Sequence, residues 1–179
     1  MRDLFLIAVT PLALTAGACI GTLRMRLNWR TDLGLRLPTP SHALISTVAF
    51  LALASLHEFL NWWLVPDAAT VDWRTKYSGG ALIVRVVFAS LVYPVAEEFF
   101  FRGFLLTVIT KKLGPIGGIV LTATLFTVLH SLSGPSLGAL QIFADGLFFA
   151  FVRLRTGSLL LPAAFHVLGN TFAVLQRLL

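Results

Sequence analysis

The chain has few charged residues and almost no cysteine. Only 12% of its 179 residues are charged, whereas 57% are hydrophobic, and the mean hydropathy is +0.86. This composition lies outside the range of soluble globular proteins and predicts a membrane protein. Cys19 is the single cysteine, which excludes an internal disulfide and a metal site built from several cysteines.

The chain also lacks any stretch polar enough to form a separate soluble domain. Its net charge of +6 comes from basic residues that lie between apolar runs rather than on one face. That pattern is typical of membrane orientation and does not favour nucleic-acid binding. We therefore predict a single membrane domain over residues 1–179.

Processing signals are weak in this chain. The apolar run Leu4–Ala18 follows Arg2 and resembles a signal peptide, but it continues to Leu23 and arginines follow, as after a retained span. We expect the run to be retained as the first span. Residues 176–179 carry no prenylation signal.

Six apolar runs predict an all-α, polytopic membrane protein of about six transmembrane helices in one bundle. The runs cover residues 3–23, 42–65, 81–109, 115–132, 137–152 and 158–176. Gly- and Pro-rich breaks separate them at 37–40, 66–67, 78–80, 114–115, 133–135 and 156–158.

The distribution of lysine and arginine among the short loops predicts the orientation. Eight basic residues fall on one side of the six-span topology: Arg24, Arg26, Arg30, Arg36, Lys111, Lys112, Arg153 and Arg155. Four fall on the other: Arg2, Arg74, Lys76 and Arg177. The positive-inside rule then predicts a multi-pass protein of the cell (inner) membrane with both termini outside.

Three charged residues interrupt the third span, at Glu97, Glu98 and Arg102. Each charge at a span centre costs about 2.5–3.5 kcal/mol. The 17 Leu, Ile, Val and Phe residues of that span return about 0.3–0.6 kcal/mol each, which roughly cancels the cost. Because these three ionisable groups offset most of the favourable insertion free energy of the span, we predict that they form an intramembrane reaction site.

The spacing of these charges predicts separate roles for the two glutamates. Arg102 lies four residues after Glu98 and is expected to pair with it on one helix face. Glu97 points about 100° away and stays free as an acid or base. Pro94 is expected to kink the helix one turn earlier. The alternative is that all three charges only hold helices together.

The other buried polar groups are His130 in the fourth span and the pair His166 and Asn170 in the sixth. His166 and Asn170 are four residues apart and share a helix face. At 1.5 Å per residue, Glu97 and His166 both fall near the middle of the bilayer. These side chains are therefore expected to meet.

The three groups of residues resemble three ordered motifs of one known family. They read EExxxR at Glu97–Arg102, FxxxH at Phe126–His130 and HxxxN at His166–Asn170. This order is similar to the CAAX-protease and bacteriocin-processing (CPBP) membrane family, which includes the Rce1-type prenyl-protein endopeptidases. The likeness covers Tyr93 to Asn170.

The resemblance implies a CPBP-like core over about 81–179, preceded by two additional spans within 1–66. It also implies a glutamate-type intramembrane protease that uses neither a metal nor a cofactor. Its substrate would be a membrane-attached protein or peptide, and the small size of the chain favours a peptide or sorting-signal processor.

The resemblance further implies catalytic roles by motif position. Glu97 would be the general base and would polarise a water molecule together with His130. His166 and Asn170 would bind the oxyanion of the tetrahedral intermediate. Hydrogen-bond donors that point at the developing negative charge stabilise the transition state strongly where water is excluded, which is consistent with such a role.

Three other functions compete with this interpretation. Two histidines and a glutamate are familiar zinc ligands, but the chain has no HExxH motif, and His57-Glu58 lacks a second histidine four residues on. A non-catalytic bacteriocin self-immunity or scaffold protein would use the same polar core to bind a partner. An ion or proton transporter would need a continuous polar path. The roles of Asp145, His57 and Glu58 stay open.

Overall fold

The structure is a computed structural model that describes residues 2–65, 72–130 and 136–179. Every regular element in these ranges is helical, which confirms the predicted all-α class. The helices are α1 (Arg2–Arg24), α2 (Pro40–Leu64), α3 (Trp73–Lys76), α4 (Gly79–Val87), α5 (Tyr93–Glu98), α6 (Leu106–His130), α7 (Leu137–Thr156) and α8 (Leu160–Gln176). Two π-helical segments, π1 (Phe88–Val92) and π2 (Phe99–Leu105), connect α4 to α5 and α5 to α6.

Four of the described helical stretches are long and apolar enough to cross a membrane. They are Ile7–Arg24, Pro40–Leu64, Gly79–His130 and Leu137–Thr156, and the 17 residues of α8 form a shorter apolar helix. The stretch Gly79–His130 has 52 residues. At 1.5 Å per residue it measures about 78 Å, more than twice the thickness of the hydrocarbon core.

Gly114 divides this long stretch into two legs. Its φ of +74° is a left-handed conformation that glycine adopts without strain. A Cβ at Gly118 would collide with the side chain of Thr110, so the two legs pack closely on either side of the turn. As far as the described residues reach, each of the six predicted spans therefore falls on one helical leg. The predicted breaks at 66–67 and 133–135 lie outside the described residues.

Pro94 lies between the two π segments rather than at a simple kink. In π1 the N–H of Tyr93 donates to the carbonyl of Phe88, five residues back. The next carbonyl, that of Ala89, would accept from residue 94, but proline has no N–H to donate. The Asn170 amide of α8 fills this position, with Nδ2 donating to Ala89 O at 3.0 Å.

The loop between α1 and α2 closes one end of the bundle. The backbone carbonyl of Asp32 accepts from Thr107 Oγ1 at 2.7 Å and from Arg153 Nη2 at 2.6 Å. Leu33 is fully buried beside it. The loop thus joins α6 to α7 through backbone contacts.

The same loop also sets the start of α8. The Leu159 N–H donates to Gly34 O at 2.8 Å, and Ser158 Oγ donates to Arg36 O at 2.7 Å. Gly34 has a φ of +77°, and a Cβ there would meet the Arg153 guanidinium. Since α8 carries His166 and Asn170, this loop helps to position the polar centre of the bundle.

Four of the basic residues counted in the loops make contacts at two ends of the bundle. Lys111 and Arg153 both contact Asp32 at the closed end. At the opposite end, Arg74 Nη2 donates to Leu179 O at 2.9 Å, and the Arg177 guanidinium lies 5.4 Å from the centre of the Trp73 ring. Which end faces the cytoplasm stays a prediction.

The carboxyl of Asp32 makes a pH-dependent contribution to stability. The Asn28 N–H, 2.8 Å from Oδ2, and then Lys111 Nζ, 2.9 Å from Oδ1, lower the pKa of Asp32 below 3.8. A carboxyl whose pKa is lower in the folded state stabilises the fold above its unfolded pKa. That contribution is lost as the pH falls through the lowered folded value.

We predict that Asp32→Asn lowers the Tm of the purified protein in detergent at pH 7, and that the difference from wild type shrinks toward about pH 3. Lys111→Gln removes the other member of this ion pair and should lower the Tm in the same direction. Lys112→Gln, which removes a neighbouring charge without an ion pair among the described residues, is its matched control. A Tm difference of equal size at both pH values would contradict this assignment.

Candidate active site

Glu98 and Arg102 form an ion pair that is fully buried. Arg102 Nη1 donates to Glu98 Oε1 at 2.8 Å, and neither side chain is exposed. The expected contact between residues four apart is therefore present, although Arg102 itself lies in π2. Arg102 Nη2 also donates to Gly146 O of α7 at 3.4 Å.

Aromatic rings surround the remaining surface of the guanidinium. Arg102 Cζ lies 4.3 Å from the ring centre of Phe126 and 5.6 Å from that of Phe149. Such cation–π contacts strengthen when water is excluded. Phe126, the first residue of the FxxxH motif, thus covers the buried charge. The sequence alone offered no role for this phenylalanine.

His166 lies between the two glutamates. Its Nδ1 is 3.0 Å from Glu98 Oε1, and its Nε2 is 3.7 Å from Glu97 Oε2. The ionised carboxylate of Glu98 only accepts, so Nδ1 carries the proton in this bond. Nε2 of the neutral ring then presents its lone pair toward Glu97.

His130 approaches Glu97 from α6 with the same ring orientation. Its Nδ1 is 2.8 Å from the backbone carbonyl of Phe126, and its Nε2 is 3.5 Å from Glu97 Oε1. A carbonyl can only accept, so Nδ1 carries the proton here too. The Nε2 atom is left as a base that faces the carboxylate.

Each carboxylate oxygen of Glu97 thus faces the Nε2 atom of one histidine. Oε1 faces His130, and Oε2 faces His166. Both separations exceed a good hydrogen bond, and none of these atoms brings a proton when both rings are neutral. Glu97, Glu98 and Arg102 together carry one net negative charge. A proton that enters this site can reside on Glu97 or on the Nε2 atom of either imidazole.

The site is open on the side of His130. The Glu97 residue is 8% exposed and Glu98 is fully buried, whereas one third of the His130 side chain is accessible. A water molecule that enters there meets Glu97 and His130 Nε2 first. These two groups can accept its protons at the same time.

Asn170 has a contact that the sequence did not predict. The geometry places one of its amide protons on the Ala89 carbonyl left free by Pro94. The side chain is half-buried, and no second hydrogen bond of this amide occurs among the described residues. Its second N–H therefore stays available to another acceptor.

Three further ionisable residues, on α2 and α7, make no hydrogen bond or ion pair with this centre. His57 Nδ1 is 3.8 Å from Asp145 Oδ1. Glu58 is exposed and accepts a hydrogen bond from Gln176 of α8, at 3.1 Å. This second contact joins α2 to α8.

Within the described ranges, no three His, Cys, Asp or Glu side chains are arranged to hold a metal ion. The Nε2 atoms of His130 and His166 lie 3.5 and 3.7 Å from Glu97 oxygens. Two ligands at about 2.0–2.2 Å from one tetrahedral zinc ion lie roughly 3.3–3.6 Å from each other, so these two spacings are also close to those of metal ligands. Whether the reaction needs a metal is a question for the chelator experiment below.

Comparison with known proteins connects this geometry to a family. Residues 79–172, just over half of the chain, match the family described as type II CAAX prenyl endopeptidase Rce1-like. The matched range contains all six candidate site residues, Glu97, Glu98, Arg102, His130, His166 and Asn170.

Two curated relatives match a similar length of the chain. An "Uncharacterized 24.3 kDa protein" of Escherichia coli is 30% identical over 96 residues, which cover 52% of this chain and 44% of that protein. The "Putative membrane peptidase YdiL" of Bacillus subtilis (strain 168) is 27% identical over 99 residues, 55% of this chain and 39% of that protein. The chain thus matches less than half the length of either relative. No solved structure matches.

We predict that Glu98→Gln destabilises the protein far more than Glu97→Gln. The first change leaves Arg102 buried without its counter-charge, which costs about 3–5 kcal/mol. Glu97 has no charged partner as close as Arg102 is to Glu98, since the nearest nitrogens, on His130 and His166, are 3.5 and 3.7 Å from its carboxylate. The measurement is the folded yield by size exclusion and the Tm in detergent. Equal losses for both variants would show that Glu98–Arg102 is not the structural pair.

Proposed function

The chain belongs to the Rce1-like family of type II CAAX prenyl endopeptidases, and we propose that it is an intramembrane endopeptidase. Its substrate is a membrane-attached protein or peptide, in which it hydrolyses one peptide bond. The observation that supports this proposal most is the position of Glu97 between His130 and His166, at 3.5 and 3.7 Å.

In the proposed reaction, Glu97 is the general base and His130 orients the water. The water oxygen attacks the scissile carbonyl while its proton passes to Glu97, and the carbonyl electrons move onto oxygen. The tetrahedral intermediate then collapses, the C–N bond breaks, and the proton on Glu97 passes to the leaving amine. General acid–base catalysis of this kind contributes about 10²–10⁴-fold to the rate.

The proposed oxyanion donors are His166 and Asn170. His166 donates from Nε2 when that atom also carries a proton, with Nδ1 still bonded to Glu98. Asn170 donates through the amide proton that does not bind Ala89. Each such donor is worth about 10²–10³-fold in kcat in enzymes of known mechanism.

A cavity of about 720 Å³ beside the site supports a hydrophobic substrate. It is lined by apolar side chains of α1, of the α4–α5 region and of α8, and Val95 and Ala96, which directly precede Glu97, form part of its wall. A lipid-embedded segment or lipid chain of a membrane-attached substrate fits such a surface. The site is therefore proposed to take its substrate from the bilayer.

The threonines of α6 do not favour the transporter alternative. Thr122, Thr124 and Thr127 donate their hydroxyl protons to carbonyls of their own helix, at 2.8–2.9 Å. These hydroxyls are satisfied within α6 and provide no relay from His130 to the other end of the helix.

The proposal predicts cleavage of a peptide library by the purified protein in detergent. Glu97→Gln should reduce kcat/KM by about 10²–10⁴-fold, because it removes the general base. His130→Ala should also abolish most of the activity. Glu58→Gln, the same chemical change on α2, is the control and should leave the rate unchanged. EDTA should have no effect.

Other outcomes identify the alternatives. Activity that is lost with EDTA and restored by zinc would replace this mechanism with a metal-dependent one. A protective phenotype in cells that survives Glu97→Gln would instead favour a non-catalytic immunity or scaffold protein. Full peptide cleavage by Glu97→Gln would contradict the general-base role.

A further inference from the structure

A second pair of ionisable side chains lies in the bundle and takes no part in the proposed reaction. Asp145 of α7 and His57 of α2 face each other, with Oδ1 and Nδ1 3.8 Å apart. This distance is too long for a hydrogen bond. The Asp145 side chain is one-third exposed, and that of His57 is 16% exposed. A carboxylate at this depth of a membrane protein is costly and is by default a candidate for function.

Asp145 lies directly beside the candidate active site. The carbonyl of the next residue, Gly146, accepts from Arg102. One turn further along α7, the Phe149 ring lies 5.5 Å from the His166 ring, centre to centre. Asp145 is therefore about one helical turn from the groups that bound the catalytic cluster, on the side where α2 approaches.

The packing of α7 against α2 does not depend on the Asp145 carboxylate. Gln141, one turn earlier on the same helix, already connects α7 to α2, because its Nε2 donates to Asn61 Oδ1 at 2.9 Å and to His57 O at 3.3 Å. Deeper in the bundle, Phe50 of α2 stacks on Phe165 of α8. Asp145 adds no hydrogen bond to a described residue at this junction.

Among the described residues, no lysine or arginine forms an ion pair with Asp145. The nearest guanidinium, that of Arg102, is paired with Glu98 and bonded to Gly146 O. His57 Nδ1, at 3.8 Å, is too far away to donate a hydrogen bond to this carboxylate. The part of α7 next to the catalytic cluster thus presents a partly exposed carboxylate that accepts no hydrogen bond from a described cation.

We propose that Asp145, assisted by His57, is a specificity subsite that binds a cationic side chain of the substrate, a lysine or arginine close to the scissile bond. This inference rests on the proposed protease function and names a chemical feature of its substrate. The attraction of the carboxylate would compensate for the hydration that the cation loses in the bilayer, and a neutral side chain would gain no such attraction.

The test uses sets of peptides derived from any library sequence that the wild-type protein cleaves. Within each set, one position near the scissile bond carries lysine, neutral norleucine or glutamate. We expect the wild type to prefer lysine over norleucine by about tenfold or more in kcat/KM, the effect of one desolvated charge pair. Asp145→Asn should remove this preference and still cleave the norleucine peptide. Asp145→Lys should reverse it toward glutamate.

Two controls separate recognition from folding. Asp145→Glu keeps the charge and should retain the lysine preference, and Glu58→Gln on α2 should leave it unchanged. All rates are divided by the folded fraction from size exclusion. A lysine preference that persists in Asp145→Asn, or none in wild type at any position, would overturn this proposal alone. Failure of the wild type to cleave any peptide would overturn the protease function as well.

Discussion

The buried ion pair between Glu98 and Arg102 is the interaction on which the arrangement of this site depends. Both groups are removed from solvent entirely, and a charge in that position is tolerated only with its partner and further hydrogen bonds in place. The pair reaches His166 on α8 through Glu98, and Gly146 on α7 and the Phe126 ring on α6 through Arg102. One ion pair thus sets the relative positions of the helices that carry the two histidines, and it leaves Glu97 as the carboxylate at the accessible edge.

The irregular backbone around the glutamates is the second constraint. The single α-helical turn that carries Glu97 and Glu98 lies between two π-helical segments, and such segments occur often at functional sites. Pro94 withholds a donor from Ala89, and Asn170 supplies it. The asparagine of the third motif therefore also ties α8 to the helix that bears the general base. The loop at the closed end adds a further anchor, since Gly34 and Arg36 hold the residues that begin α8.

Much of this organisation could be predicted from the sequence, because hydrophobic runs and four-residue spacings follow directly from helix geometry. The all-α class, the position of each apolar run and the pairing of Glu98 with Arg102 are local properties of that kind. The π segments could not be predicted, since they depend on how α8 packs against π1. The contacts of Asn170 with Ala89 and of Arg102 with Gly146 join residues 81 and 44 positions apart. The roles of Glu97, His130, His166 and Asn170 in catalysis remain predictions.

The central claim is that a water molecule held by Glu97 and His130 is the nucleophile. The most direct measurement is a single turnover with enzyme in excess in water enriched in oxygen-18, followed by mass spectrometry of the product and of the enzyme peptide that contains Glu97. The account predicts one heavy oxygen in the new carboxyl terminus of the product and none in Glu97. Heavy oxygen in the Glu97 carboxylate would contradict it, because the glutamate would then have attacked the substrate itself through an acyl intermediate.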